Sequence, residues 1–316
     1  MAEVEPELEL LVRAVRWESD GVVSVLLEDP AGGELPSWEA GAHVDVVLPA
    51  LVRQYSLCGD PADRHRYRIG VLREPASRGG SRYVHESLRP GQRVQVRGPR
   101  NRFALEPAER YLFVAGGIGI TPLLPMIARA EAAGADWLLA YGGRSRSTLA
   151  FLGELARYGD RVRVVPEDEE GLLDLPRLLG DLPAGTAVYS CGPEGLLAAI
   201  EGCAGDWEPG TLHLERFKAK EFVPEGADQP FELVCESSGV TVTVPADQTA
   251  IDALEAVDVF IPSACREGIC GTCEVKVLDG TPDHRDSLLS PEERESGQTM
   301  MLCVSRALGG RLVVDA

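Results

Sequence analysis

Short alternating or β-branched runs, punctuated by Gly, Pro and Asp, fill residues 8–105. The clearest are Val22–Leu27, His43–Leu48, Tyr67–Leu72 and Val94–Val96. Pro90-Gly91 and Gly98-Pro99 mark turns between them. Several short strands at this spacing predict a closed antiparallel barrel. After Pro107 the pattern changes. Tyr111–Ala115 is continuously apolar, as expected of a strand buried on both faces. A helical stretch follows from Pro122 to about Ala133. Further strands are expected at Trp137–Tyr141, Val162–Val165 and Ala187–Ser190, the last running into a helix over 194–202. Alternating strands and helices predict a mostly parallel α/β sheet. Residues 231–244 read as two strands around Ser237-Ser238-Gly239, a hairpin signal, and a short helix over 249–256 follows. The polar stretch 219–230, with two prolines, suits a linker. The expected organisation is a barrel domain over 1–106, an α/β domain over 107–219, a linker over 220–229 and a last domain over 230–316.

A length of 316 residues suits two or three domains. Hydrophobic residues at 44% allow each of them a core. The net charge of −19 argues against a nucleic-acid binder or a protein held on an anionic membrane. No apolar run approaches the roughly 18–20 residues that span a bilayer, and the N-terminal residues are acidic where a signal peptide would be basic. A soluble, cytoplasmic protein is therefore expected. The charge is uneven. Residues 230–316 carry 6 basic and 15 acidic side chains, whereas 53–102 hold 12 arginines against four acids.

Eight cysteines in a cytosolic chain point to metal or redox use before disulfides. Cys265, Cys270, Cys273 and Cys303 have the spacing C-x4-C-x2-C…C, the ligand spacing of a plant-type [2Fe–2S] cluster. Gly268 and Gly271 would let backbone amides turn toward the sulfurs. Structural zinc prefers a second short Cys pair, and a thioredoxin-like site would leave Cys265 and Cys303 idle. Cys58, Cys203 and Cys235 read as small core residues.

Gly116-Gly117-Ile118-Gly119-Ile120-Thr121-Pro122 directly follows the apolar strand. Its glycines would admit a pyrophosphate, with Thr121 capping a helix that has Pro122 at its first position. No Lys follows, so this is not a Walker A loop. Cys191-Gly192-Pro193 ends the strand at 187–190, and ligands of open α/β sheets gather at such strand ends. A buried core thiol is the alternative for Cys191. The loop Arg144-Ser145-Arg146-Ser147 could accept a ribose 2′-phosphate, stack on adenine, or simply be solvated.

Arg53-Gln54-Tyr55-Ser56-Leu57 offers a cation for a phosphate, an aromatic ring for a flavin edge and a hydroxyl for its polar rim. Gly79-Gly80-Ser81 precedes a helical stretch over 82–88, with Ser81 as its cap, making a second anion site. Together, Arg53-x-Tyr55-Ser56-Leu57, the Gly116–Pro122 loop, Cys191-Gly192-Pro193 and the C-terminal cysteines resemble the ferredoxin–NADP reductase superfamily. The order of the three parts resembles the phthalate dioxygenase reductase and vanillate O-demethylase reductase family. That resemblance covers nearly the whole chain. It implies an antiparallel β-barrel flavin domain, a parallel α/β nucleotide domain and a β-grasp ferredoxin domain. It further implies FMN, its phosphate seated by Arg53 with Gly79, Gly80 and Ser81, and NADH as donor, with NADPH left open by Arg144 and Ser145. Phe217 matches an aromatic that lies near the flavin in the family.

The implied reaction is electron transfer from NADH through FMN and [2Fe–2S] to a separate terminal oxygenase. Nicotinamide gives two electrons as hydride, whereas the cluster takes one at a time; a flavin bridges the mismatch. Cys191 and Ser56 are expected beside the reacting atoms. His43, His65, His85, His213 and His284 are scattered and form no acid–base constellation. A Rieske-type oxygenase is the expected acceptor and a cytochrome P450 the second choice. The alternative is an electron-transfer or redox-sensing subunit of a fixed assembly. A monomer suits a diffusing carrier.

Overall fold

Six antiparallel strands make the first sheet: β1 (Glu7–Ser19), β2 (Val22–Glu28), β3 (Ala42–Leu48), β4 (Leu51–Ser56), β5 (Arg66–Leu72) and β6 (Arg93–Asn101). Their order is β4-β3-β6-β1-β2-β5. Just past β4, Leu57 bridges Ile69 of β5, and the Cys58 amide donates to the Arg68 carbonyl at 2.8 Å, so the two edges meet and the barrel closes. Val12, Val25, Val44, Val46 and Val96 fill the interior. Helix α1 (Gly80–Glu86) adds Val84 to that core. The computed structural model describes residues 6–49, 51–75, 79–205, 207–220, 222 and 226–316.

Sequence periodicity misses β1 and β4. In β1 the outward Glu7, Glu9 and Arg13 dilute the signal of buried Leu10 and Val12. Gly98-Pro99 lies inside β6 and not at a turn. Gly98 and Pro99 stand opposite the single residue Val44 between the His43 and Asp45 pairs of β3, a bulge, which is where a sheet tolerates a proline without a ladder donor. Part of the basic island is paired with carboxylates from strands distant in sequence. Arg66 Nε lies 2.8 Å from Glu28, Arg93 Nη1 2.5 Å from Glu9 and Arg97 Nε 2.8 Å from Glu7.

The second sheet is parallel throughout: β7 (Arg110–Gly116), β8 (Asp136–Gly143), β9 (Val162–Pro166), β10 (Thr186–Cys191) and β11 (Leu212–Glu215), in the order β11-β10-β7-β8-β9. Helix α2 (Ile120–Ala132) follows β7. Short helices α3 (Leu152–Leu155), α4 (Glu167–Glu170) and α5 (Leu175–Leu179) precede β10, and α6 (Glu194–Cys203) follows it. The chain runs from β7 outward to β9 on one side, then crosses back to β10 on the other. That reversal puts a topological switch point between β7 and β10. Sheet and barrel form one compact unit, Met1–Glu215. Arg68 Nη1 lies 2.9 Å from Glu154, and Tyr189 Oη accepts the Glu106 amide at 2.8 Å while donating to the Ala104 carbonyl.

The unit Arg216–Ala316 holds a mixed sheet of β12 (Phe231–Cys235), β13 (Val240–Val244), β14 (Glu274–Asp283), β15 (Thr299–Met301) and β16 (Arg306–Asp315), ordered β13-β12-β16-β14-β15. Only β12 and β16 run parallel. Helix α7 (Ala250–Glu255) buries Ile251 and Leu254, and α8 (Pro291–Ser296) opens with a Ser290–Glu293 capping box. Of the linker residues, Asp228 is held by Arg285 at 2.6 and 3.0 Å; 221 and 223–225 lie outside the described residues. Cys58 and Cys235 are buried as expected of core thiols. Cys203, the last residue of α6, is exposed, because its helix turns that face to solvent. Among the described residues no helix is long and apolar enough to cross a membrane.

Candidate functional site

Parallel pairing fixes what meets at the switch point. Cys191, the last residue of β10, is in register with Ala115 of β7 on one side and with Glu215 of β11 on the other. The two loops beyond these strands interlock. A Cβ on Gly119 would sit 2.1 Å from the Cys191 carbonyl oxygen, and one on Gly116 would strike Pro193 and Leu196. These glycines are therefore packing requirements. Gly117, with φ +53° and nothing within 4 Å of a built Cβ, is the one that faces open space.

Thr121 does not cap the helix. Gly119 occupies the cap, Thr121 is the second helical residue, and its hydroxyl donates to the Ile118 carbonyl at 2.9 Å. Pro122 accordingly stands at the third position, still within the first turn where no donor is missed. Gly192 leads into α6, whose cap is Pro193.

Strand β4 brings the barrel's contribution. Ser56, buried at its end, donates from Oγ to Glu215 Oε2 at 3.4 Å. Glu215 is the residue that sequence reasoning missed, since β11 is too short to show a period. The signal was there in kind: an acid at the C-terminal end of a strand beside a candidate cysteine. Glu215 is half-buried, and burial pushes its carboxyl pKa up to about 8, the Ser56 hydrogen bond opposing this. Burial and the neighbouring Glu215 both push the Cys191 thiol well up, so it is a neutral thiol and not a thiolate nucleophile. Ser56, Cys191 and Glu215 thus form one polar group at the ends of β4, β10 and β11.

Leu57 is fully buried. Tyr55 is half-buried, and its phenol is pushed up to about 12 by burial, against the pull of Arg53. Arg53 lies across the start of α1. A Cβ on Gly80 would meet its Cγ at 2.8 Å, so only glycine lets the guanidinium stem lie there. Gly79, at φ +115°, is the helix cap. Ser81 is not the cap: it is the second helical residue, and its Oγ accepts the Glu74 amide at 3.1 Å. A cation laid over the amide end of a short helix is a fit for the phosphate of a flavin mononucleotide.

Arg144 is exposed after β8. Ser145 caps a short turn in which its amide donates to Thr148 Oγ1 at 3.2 Å. Phe217 falls in the second unit and is 38% exposed.

In the second unit, Cys270, Cys273 and Cys303 are buried and Cys265 is partly so. Cys265 is contacted by the thiols of Cys270 and Cys303, and Cys273 by that of Cys303. The neighbouring thiols perturb one another, Cys265 and Cys273 being held down and Cys270 and Cys303 pushed up. The loop turns as glycine allows: Gly268 and Gly271 have φ +69° and +76°. Amide donors reach sulfur at Glu267 N to Cys265 (3.3 Å) and Thr272 N to Cys270 (3.5 Å). Among the described residues no three His, Cys, Asp or Glu side chains converge on a point for one ion. A two-iron cluster needs its four thiolates shared between two irons, and amides aimed at the sulfurs favour its reduced form. The residues fit that group.

Fold and sites together define a pyridine-nucleotide-dependent flavin and iron–sulfur reductase. Residues 233–308 match the family described as 2Fe-2S iron-sulfur cluster binding domain. The chain is 45% identical over 309 residues to the phenoxybenzoate dioxygenase subunit beta of Ectopseudomonas oleovorans, covering 97% of this chain and 96% of that protein. It superposes on phthalate dioxygenase reductase, described as a modular structure for electron transfer from pyridine nucleotides to [2Fe–2S]. There the TM-score is 0.72 at 34% identity, with 98% of each chain covered. An intact type IV self-sufficient cytochrome P450 monooxygenase gives a TM-score of 0.93 at 48% identity over 98% of this chain. The chain spans 41% of the length of that P450. The chain belongs to the phthalate dioxygenase reductase family and is an oxidoreductase of the oxygenase-reductase class.

Proposed function

We propose that this chain accepts hydride from NADH on FMN bound between β4 and α1 and passes single electrons through a [2Fe–2S] cluster to a terminal oxygenase. The observation that carries this is the meeting of Ser56, Cys191 and Glu215 at the β7–β10 switch point, at the end of the candidate flavin strand. Bound FMN supplies the change from two-electron to one-electron chemistry. Arg53 and the α1 amides hold its phosphate, and Tyr55 packs against its ring system. Ser56 Oγ, its proton directed to Glu215, would offer an acceptor to the ring edge. Cys191, neutral and enclosed, gives the nicotinamide an apolar wall that keeps water out. Cys265, Cys270, Cys273 and Cys303 hold the cluster, and the Gly268–Cys273 turn supplies amides to its sulfurs.

Anaerobic addition of NADH to purified protein tests the reading. Flavin and iron–thiolate absorbance should both bleach, and ferricyanide should be reduced catalytically. Absence of either chromophore, or bleaching only by dithionite, refutes it. A protein that bleaches but turns over slowly with any soluble acceptor would be a fixed-assembly subunit.

The proposed acceptor is a Rieske-type oxygenase, the chain acting as a cytoplasmic monomer. A cytochrome P450 is the second reading, favoured by the 48% identity to a self-sufficient P450. Oxygenase turnover reconstituted with one acceptor and not the other separates them.

A further inference from the structure

A 2′-phosphate on the adenosine ribose carries about two negative charges and asks for cations and hydroxyl donors; a free 2′-hydroxyl asks only for an acceptor. The loop after β8 holds groups that could serve the phosphate, and Arg146, Ser145, Ser147 and Thr148 are already engaged, while Arg144 is exposed. Arg146 donates from Nε to Glu169 Oε1 at 3.4 Å and from Nη2 to Oε2 at 3.1 Å, a forked pair. Thr148 Oγ1 accepts the Ser145 amide and donates to the Ser145 carbonyl at 2.8 Å, while the Ser145 and Ser147 hydroxyls lie 3.2 Å apart. Glu169 belongs to α4, whose four residues are all acidic: Glu167, Asp168, Glu169 and Glu170. This turn is fixed against the loop, because the Asp168 amide donates to the Arg144 carbonyl at 3.2 Å.

Loop and turn sit at the C-terminal ends of neighbouring strands. Gly116, Gly142 and Val165 are in register across β7, β8 and β9. A dinucleotide whose nicotinamide lies at Cys191 and whose pyrophosphate crosses the open face of Gly117 reaches these ends with its adenosine half.

We infer that the Arg146–Glu169 pair sets coenzyme choice, with Glu169 withholding the arginine that a 2′-phosphate would need. The inference rests on the nucleotide site proposed above. Glu169 acts in two ways. Its charge, with those of its three acidic neighbours, opposes a phosphate dianion, and its fork occupies the guanidinium. Arg146 is therefore a phosphate ligand held in check. The carboxylates that repel a phosphate can accept a hydrogen bond from the unphosphorylated ribose.

Calorimetric titration of the full chain with 5′-AMP and with 2′,5′-ADP reads the 2′ position without any flavin chemistry. Wild type should bind 5′-AMP at least about tenfold more tightly than 2′,5′-ADP. Glu169→Gln should raise 2′,5′-ADP affinity by about tenfold, and adding Arg146→Ala should abolish that gain. The NADPH-to-NADH ratio of kcat/KM should move in parallel. Equal binding of the two nucleotides by wild type, no gain in Glu169→Gln, or a gain that survives loss of Arg146 would each overturn the inference. Nucleotide binding that follows the expected pattern in a protein whose flavin NADH cannot reduce would count against the electron-transfer reading alone.

Discussion

Glu215 shows how far single residues can be read. Arg53, Ser56, Cys191 and the four cluster cysteines stand out by type and spacing, because the chemistry they suit is rare among residue patterns. Glu215 does not, since one acid among 50 acquires meaning only when parallel pairing sets it beside Cys191 and within reach of Ser56. Its raised pKa makes the protonated carboxyl the favoured folded form. The stability this confers is fully present below the ordinary carboxylate value of 4.5 and is lost as pH rises through about 8. Denaturant midpoints should therefore fall over that window in wild type and stay flatter in Glu215→Gln. Parallel curves for the two proteins would show that the carboxyl is not buried as described. The rate of flavin reduction by NADH should likewise lose an inflection near pH 8 in Glu215→Gln. At Gly119 the issue is space. Gly119→Ala places a methyl 2.1 Å from the Cys191 carbonyl and should cost about 1–3 kcal/mol, with NADH oxidation falling more than the melting temperature alone explains. A variant that melts and turns over like wild type would disprove the interlock.

Elements follow periodicity where one face is apolar, and fail where the surroundings decide. Strands β2, β3, β5, β7 and β10 are legible because their buried positions alternate or run unbroken. Strand β4 is not, since all but its last residue are half-buried, and β11 has four residues, all half-buried. Helix starts are the weakest reading. Ser81 and Thr121 have the chemistry of caps, but the caps are Gly79 and Gly119, where the chain packs closely, Gly80 against Arg53 and Gly119 against Cys191. The hydroxyls then bond elsewhere, to the Glu74 amide and the Ile118 carbonyl. The unit of β4 and α1 carries one expectation. Arg53→Ala should raise the FMN dissociation constant by about ten- to hundredfold, the loss of one charge-assisted contact. Flavin content after dialysis measures it, and a variant retaining wild-type flavin would remove Arg53 from the phosphate site.

Across the whole molecule, charge reorganises between sequence and structure. Several arginines of the barrel's basic stretch are paired with acids distant in sequence, among them Arg66, Arg93 and Arg97. Residues 230–316 keep 15 acids against 6 basic side chains even with Arg266, Arg285, Arg294 and Arg311 in ion pairs, and the cluster of this unit must meet an acceptor. Electron delivery to a natural oxygenase should slow by about tenfold or more between low and high salt, as charges beyond a Debye length of about 10 Å are screened. Ferricyanide reduction, which needs no docking, supplies the reference. A partner rate indifferent to salt would assign the charge to solubility alone. The interlocked glycines carry a different consequence, one of descent. Gly116, Gly119 and Gly192 pack so closely that neither loop can drift without the other, so the hydride end of the site resists gradual change. The coenzyme end, if Arg146 and Glu169 set its choice as inferred above, rests on two exposed side chains. Lineages of this fold can therefore exchange one nicotinamide currency for the other in single steps while inheriting the reacting end intact.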